Sequence, residues 1–418
     1  MREIDDPLAM FGGAAPKRFT QGTHRVTDPD ATLQWLCPLL PALGITRVAN
    51  VTGLDYIGIP VVMVCRPNSR SLSVAQGKGW NLAAAKASGI MEAVEGHHSQ
   101  HITLPLKYAS YDELRFTHDM ADVARLPQVR NSKFHPDFCL HWIEGYDLAT
   151  GTRLWVPYEM VHTNYTLPTT IVSGCFLPST NGLASGNHML EAISHGLCEV
   201  VESDARALWW SLTPEAKRRT VLDLTTLDDA ACLSVVDKFE RANMAVSVWN
   251  MTSDLGIPCF YCSLTEAPHN RKSQAGRCGG VGCHPARGIA LMRALTEAAQ
   301  SRLTLISGSR DDISPHDYRG TRGPVASILD ALTSPLDGGG QDFRRIPSHE
   351  SVAIDDDVRW ELAQLHRAGF SQVVVVDLTK AEFEIPVVRV VIPGLEGLNA
   401  HRQYCPGERA IARIGRQE

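Results

Sequence analysis

The sequence predicts a mixed α/β fold made of pseudo-repeated strand–glycine-rich turn–helix units around one site. Three observations predict it. A short pattern occurs three times, as GIMEAVEG at 89–96, GLCEVVES at 196–203 and ALTEAAQS at 294–301. Glycines lead each copy: Gly79 and Gly186 stand ahead of Gly89 and Gly196, and Gly279, Gly280 and Gly282 stand ahead of the third. Strand and helix signals alternate along the chain, but hairpins intrude, which argues against a clean doubly wound sheet. Copies roughly a hundred residues apart do not make a solenoid, whose periods run about 20–50 residues.

Taken in order, residues 1–30 are polar, broken by glycine and proline, and read as an extended arm. LQWLCPLLPALG at 33–44 has helical spacing and a glycine stop. Residues 47–67 read as two strands around a turn, followed by the first glycine turn and helix. A helix is expected from Tyr111–Glu113 onward, and a hairpin turning at Ala149-Thr150-Gly151. The second glycine turn leads a long helix through 189–203. AVSVWNMTSDLGIPCFYCSLTE predicts strand, turn, strand, and the third helix follows. Residues 310–350 are rich in Gly, Asp, Ser and Pro, with GGG at 338–340 marking a flexible loop. FSQVVVVDLT and FEIPVVRVVIPGLEG are β-branched strands.

At 418 residues, with 44% hydrophobic and 21% charged residues, the chain can bury a large core without disulfides. A net charge of −6 gives no reason to expect nucleic acid or an anionic membrane as partner. The start, MREIDDPLAMFGG, lacks a signal-peptide pattern, and no apolar run approaches 18 residues; a cytoplasmic protein is expected. Eleven scattered cysteines then read as reduced thiols. Cys259 and Cys262 lie on an expected strand, where positions i and i+3 face opposite sides, so they make no simple metal hook. Cys278 with Cys283-His284 invites the same metal reading and receives the same answer. GxxxxGK[ST], GxGxxG and GxSxG are all absent from the sequence.

The acidic residues carry the chemistry. Glu191, His195, Glu199 and Glu202 form one helical stripe, as do Ser88, Glu92 and Glu95, and Arg293, Glu297 and Gln300. A solvated amphipathic face is the ordinary reading of such a stripe. Against it, neither 87–96 nor 189–203 contains Lys or Arg to offset the repulsion. Carboxylates with retained waters and substrate phosphates suit Mg2+, and glycine turns ahead of helices offer N–H groups to phosphate. Acid cluster and glycine turns together point to a metal–nucleotide site without a Walker motif.

These motifs resemble the YcaO superfamily. The resemblance rests on GTHR at 22–25, GITRVANVTGLD at 44–55, QGKG at 76–79, S-x3-E-x2-E at 88–95, S-x-N-G-L-A-S-G-N-x3-E-A at 179–192, E-x2-E-x-D at 199–204, RALTEAAQSR at 293–302, GSRDD at 308–312 and IPGLE at 392–396. It implies a YcaO-type fold, with ATP and Mg2+ as cofactors. Residues 1–45 would be an arm and helix contributing to the nucleotide site, 46–400 the YcaO domain and 401–418 a tail. The implied magnesium ligands are Glu92, Glu95, Glu191, Glu199 and Glu202. The implied nucleotide contacts are Arg25, Thr32, Ser88, Asn187, Gln300 and, more weakly, Arg302. Gly96 departs from the family, where many members carry Arg, which puts a phosphate contact from that side in doubt. His97, His98 and His195 have an ordinary packing or supporting-polar alternative.

The resemblance implies ATP-dependent activation of a peptide backbone amide. The sequence ends IARIGRQE, without the Pro-x-Pro-x-Pro tail of azoline-forming members, and no extra leader-docking domain is expected. Both features favour thioamide formation on a peptide or protein substrate, with a TfuA-like partner and a sulfide source. The alternatives are an azoline- or amidine-forming cyclodehydratase with a separate recognition partner, and a non-catalytic accessory factor for ribosomal-protein methylthiolation. A homodimer is compatible with the sequence.

Overall fold

The computed structural model describes residues 8–168, 174–266, 276–313, 318, 332, 339–399 and 401–415. The chain divides into two compact units, the first of residues 1–17, 94–211 and 351–418, the second of residues 18–93 and 212–350.

Helix α1 (Pro29–Leu36) starts where Asp28 accepts the Ala31 N–H and Pro29 occupies the first turn. The helix expected over 33–44 therefore begins earlier and ends at Leu36. Pro38 cannot donate to a continuing helix, so the chain tightens into a 3-10 turn at Cys37–Leu39 and reverses at Gly44, with φ 72°. Strands β1 (Arg47–Asn50), β2 (Val61–Cys65) and β3 (Val74–Lys78) form an antiparallel sheet, and α2 (Leu82–Gln100) follows its edge strand.

Next come β4 (Leu106–Ala109), α3 (Tyr111–Leu114) and the expected hairpin of β5 (Leu140–Asp147) and β6 (Thr152–Pro157). Strand β7 (Leu183–Ser185) leads into α4 (Met189–Trp210). Then follow α5 (Pro214–Arg218), β8 (Leu222–Asp223), α6 (Ala230–Arg241), β9 (Met244–Asn250), β10 (Cys259–Glu266), β11 (Cys278–Cys283) and α7 (Arg287–Ser307). The last elements are β12 (Gln341–Asp342), α8 (Ile354–Arg367), β13 (Val374–Asp377), β14 (Val387–Val391) and α9 (Glu408–Gly415). Within the loop expected over 310–350, most of 310–338 lies outside the described residues.

In the second unit, α6 and α7 cover the β9–β10–β11 sheet over a core including Phe239, Phe260, Leu291, Leu295 and Phe343. In the first, a six-stranded sheet runs β4-β5-β13-β14-β7, with β6 on β5, and α4 packs on β14 and β7. All three repeat helices thus follow the edge strand of an antiparallel sheet. For α2 and α7 the sheet precedes the helix in sequence. For α4, β7 is completed by β14 from some two hundred residues later, which hides the relationship in the sequence.

The repeat glycines also serve the packing. A Cβ at Gly77 would collide with the Ala85 carbonyl of α2, and one at Gly280 with the Ala294 carbonyl of α7. Bare strand backbone against bare helix backbone is the contact that the first and third copies share. Cys259 and Cys262 are buried in β10, and burial pushes the Cys262 thiol well above its usual range. His98 is fully buried, bonded to the Val94 carbonyl at 2.8 Å and edge-on to Phe383. Among the described residues no helix is long and apolar enough to cross a membrane.

Candidate functional site

Helix α4 does not have a solvated face. Sixteen of its 22 residues are buried, so the amphipathic-surface reading fails for it. The remaining positions, Met189, His195, Glu199, Glu202, Arg206 and Trp210, are all only partly exposed. Four of them, from His195 to Arg206, form the acidic stripe that the sequence singled out, now extended by an arginine. Partial exposure on an otherwise buried helix marks where the core opens. His195 Nε2 lies 3.5 Å from Glu199 Oε1.

The carboxylates at the ends of the repeat strands are fixed by backbone. Glu191, 2% exposed, accepts from the Asn187 N–H at 2.8 Å and from its side-chain amide at 3.4 Å. Glu95 Oε1 accepts from the Ser185 N–H at 2.9 Å and hydroxyl at 2.7 Å. In the second unit, Glu92 accepts from the Gln76 N–H, and Glu297 Oε1 from the Val281 N–H at 3.1 Å. These last two are one contact repeated, each spanning the same sequence interval. The N–H groups beside the glycines, expected to face phosphate, are in these four cases given to the chain's own carboxylates. Hydrogen bonds of this kind hold a carboxylate ionised and oriented.

Charge differs between the copies. Surrounding protein pushes Glu92 upward although its side chain still reaches solvent; Lys78 and Arg310 pull it back. Burial also pushes Glu297 upward, but Lys78, at 2.7 Å, outweighs it and holds the carboxyl below the usual range. Lys78 also donates to Gln300 Oε1 at 3.0 Å, while Gln300 Nε2 donates to the Gln76 carbonyl at 2.9 Å. Glu92, Glu297, Gln300 and Lys78 therefore belong to one polar group in the second unit.

The other expected residues are placed separately. Arg25 is half-buried and donates to the His24 carbonyl at 2.9 Å. Thr32 is buried, its hydroxyl donating to the Asp28 carbonyl at 2.9 Å. Ser88 is exposed on α2. Arg302 is fully buried and ion-paired with Asp55 at 2.8 Å and Glu266 at 2.6 Å. Lys78, Arg310 and Ser185 are the residues that sequence reasoning does not assign to the site, and it gives Glu297 only as part of the third copy of the repeat. Lys78 stands in the QGKG motif at 76–79. The available signal was Glu297, aligned with Glu92 and Glu199 and one helical turn before Gln300.

Comparison with known proteins bears on this arrangement. A family model described as YcaO cyclodehydratase, ATP- and Mg2+-binding, matches residues 76–396. An uncharacterized protein in the tfuA 3′ region of Rhizobium leguminosarum bv. trifolii is 37% identical over 405 residues, 93% of each chain. An uncharacterized protein of Methanothermobacter thermautotrophicus is 32% identical over 378 residues, 88% of this chain and 94% of its relative. Among solved structures, a heterocyclase in complex with substrate and cofactor superposes with TM-score 0.78 at 23% identity, covering 95% of this chain. This chain spans 55% of that heterocyclase. YcaO from Methanopyrus kandleri bound with AMPPCP and Mg2+ superposes with TM-score 0.73 at 20% identity, covering 94% of this chain and 99% of that one. At these identities the structural likeness speaks for the fold.

Proposed function

The chain belongs to the YcaO family, and from that premise we propose that it activates a backbone amide of a peptide or protein substrate to form a thioamide. Its cofactors are ATP and Mg2+, as the family description states. The carboxylates fit that assignment, because hard oxygen donors, several oriented by backbone N–H groups, suit Mg2+. Bound ATP supplies the phosphoryl group that makes the amide oxygen a leaving group, and Mg2+ offsets the triphosphate charge.

The observation that carries the proposal is the partly open Glu199–Glu202 stripe on the buried α4. Glu92, Glu95, Glu191, Glu199 and Glu202 are the magnesium ligands of this reading. Ser185 and Asn187 orient Glu95 and Glu191 through the contacts above, and Asn187 also contacts nucleotide. Arg25, Thr32, Ser88 and Gln300 are its remaining nucleotide-side residues. Arg302, already met by two carboxylates, acts by holding Asp55 against α7. The relative placed in the tfuA 3′ region supports a TfuA-like partner, and the exchange of oxygen for sulfur requires a sulfide source. The family's description as cyclodehydratases supports a second reading, ring closure to an azoline or amidine.

The test combines the purified protein, ATP, Mg2+, sulfide, a TfuA-like protein and peptides encoded beside its gene. Mass spectrometry reads the product, since exchange of oxygen for sulfur raises the peptide mass and loss of water lowers it. A mass gain that requires ATP is expected. A mass loss would replace thioamidation by cyclodehydration. Unmodified peptide with no peptide-stimulated ATP hydrolysis would overturn the enzymatic reading in favour of an accessory role.

A further inference from the structure

Arg389 stands in the middle of β14 and is 1% exposed. Its Nη2 donates to the Ser179 carbonyl at 2.8 Å. Among the described residues its buried Nε and Nη1 meet no acceptor, and no carboxylate forms an ion pair with it. Burial lowers its pKa only to about 10, so the guanidinium is charged at neutral pH. A buried cation with idle donors is among the most costly features a fold can keep. Buried polar groups of this kind normally have partners, so an exception calls for a ligand.

The surroundings favour an anion. His162 is 3% exposed and stacked on Tyr158 with ring centroids 4.7 Å apart. Burial, then the charge of Arg389, lowers its pKa to about 4, so the imidazole is neutral and adds no second charge. Tyr165, also within the field of Arg389, is 39% exposed and gives that region contact with solvent. Glu199 of the α4 stripe is close enough to influence Arg389 electrostatically.

We propose that Arg389 is an oxyanion-binding residue whose Nε and Nη1 receive the oxygens of a phosphoryl group handled at the Glu199 site. The assignment of phosphoryl chemistry rests on the ATP-dependent reading above. A phosphoryl group offers several acceptors and a negative charge, which answers both idle donors and the buried cation. Carboxylates share part of that chemistry and are separated by experiment.

The experiment uses the full chain with Arg389→Met and Arg389→Lys, measuring melting temperature with and without inorganic phosphate or acetate, and ATP turnover. Met replaces an idle buried charge by an apolar side chain of similar reach, so its melting temperature should equal or exceed the parent's. Phosphate should raise the parent's melting temperature and not the Met variant's, and turnover should fall about a hundredfold. Lys keeps the charge without the planar fork, and should show a reduced phosphate response; it carries the test if Met does not fold. A Met variant that melts lower yet still responds to phosphate would make Arg389 a prop for the Ser179 carbonyl. A shift with acetate alone would make the site one for carboxylates. Either result overturns the proposal, as does unchanged turnover with an unchanged phosphate response. If the parent itself hydrolyses no ATP, the functional reading fails while the phosphate-dependent shift still decides the site.

Discussion

On α7, Glu297 is held by Lys78 at 2.7 Å, and the next polar position on that face is Gln300. On α4, the equivalent Glu199 lies 3.5 Å from a histidine, and Glu202 replaces the glutamine. Both helices follow the edge strand of an antiparallel sheet and carry the same pattern. The difference teaches that the same pattern can hold its glutamate against a lysine, as Glu297 does, or leave its carboxylates on a partly open strip between His195 and Arg206. Within α4 the same contrast returns: Asp204, fully buried, is gripped by Arg409 of α9 at 2.9 Å, while Glu199 and Glu202 reach solvent.

Glu199→Ala and Glu202→Ala attack the open side of this comparison and should have the largest effect. ATP hydrolysis should drop by about 10²–10³-fold, with the melting temperature within a few degrees of the parent. Normal turnover would remove magnesium binding from α4. Arg409→Ala attacks the closed side. It strands the buried Asp204 carboxyl, which burial already pushes upward against the pull of Arg409. The expected loss is about 3–5 kcal/mol of stability in denaturant unfolding; a change below 1 kcal/mol would show that the α9 clamp is dispensable.

Lys78→Met should cost less, about 1–3 kcal/mol, because Glu297 keeps the Val281 N–H. Adding Glu297→Gln should recover most of it in a double-mutant cycle. Simple additivity of the two changes would mean that the pair is not coupled.

The smallest effect concerns Glu361 of α8, which packs against α4. Burial pushes its carboxyl well above the ordinary 4.5, and it bonds to Ser194 at 2.8 Å and Cys198 at 3.3 Å. The native state therefore keeps a proton that the unfolded chain releases above 4.5, so its contribution to stability falls as pH rises from there toward the raised native pKa. Glu361→Gln should flatten that decline, with the gap between the two proteins widest at high pH. Parallel stability–pH curves would show that the carboxyl ionises freely.

Much of the site could be read from residue spacing, because helical periodicity alone places Glu199 and Glu202 on one face. The absence of Lys and Arg within 189–203 was also informative, although Arg206 lies on the same stripe one turn beyond Glu202. Lys78 could not be found that way. Its partners Glu297 and Gln300 are more than two hundred residues distant, and no local period links them. The end of α1 was misplaced because apolar spacing outweighed Pro38, whose missing N–H stops the helix.

The sequence by itself determined the three helices, the glycines that lead them and the acidic character of their faces. These follow from local periodicity and from the backbone freedom of glycine, and both are written in neighbouring residues. Tertiary structure alone decided that Glu297 is held by Lys78 and Asp204 by Arg409, and that Glu199 and Glu202 stay partly open to solvent. That outcome depends on side chains brought from distant strands and on the dielectric around them. It also decided that the glycines pack strand against helix, and that Arg389 remains charged inside the fold with donors to spare.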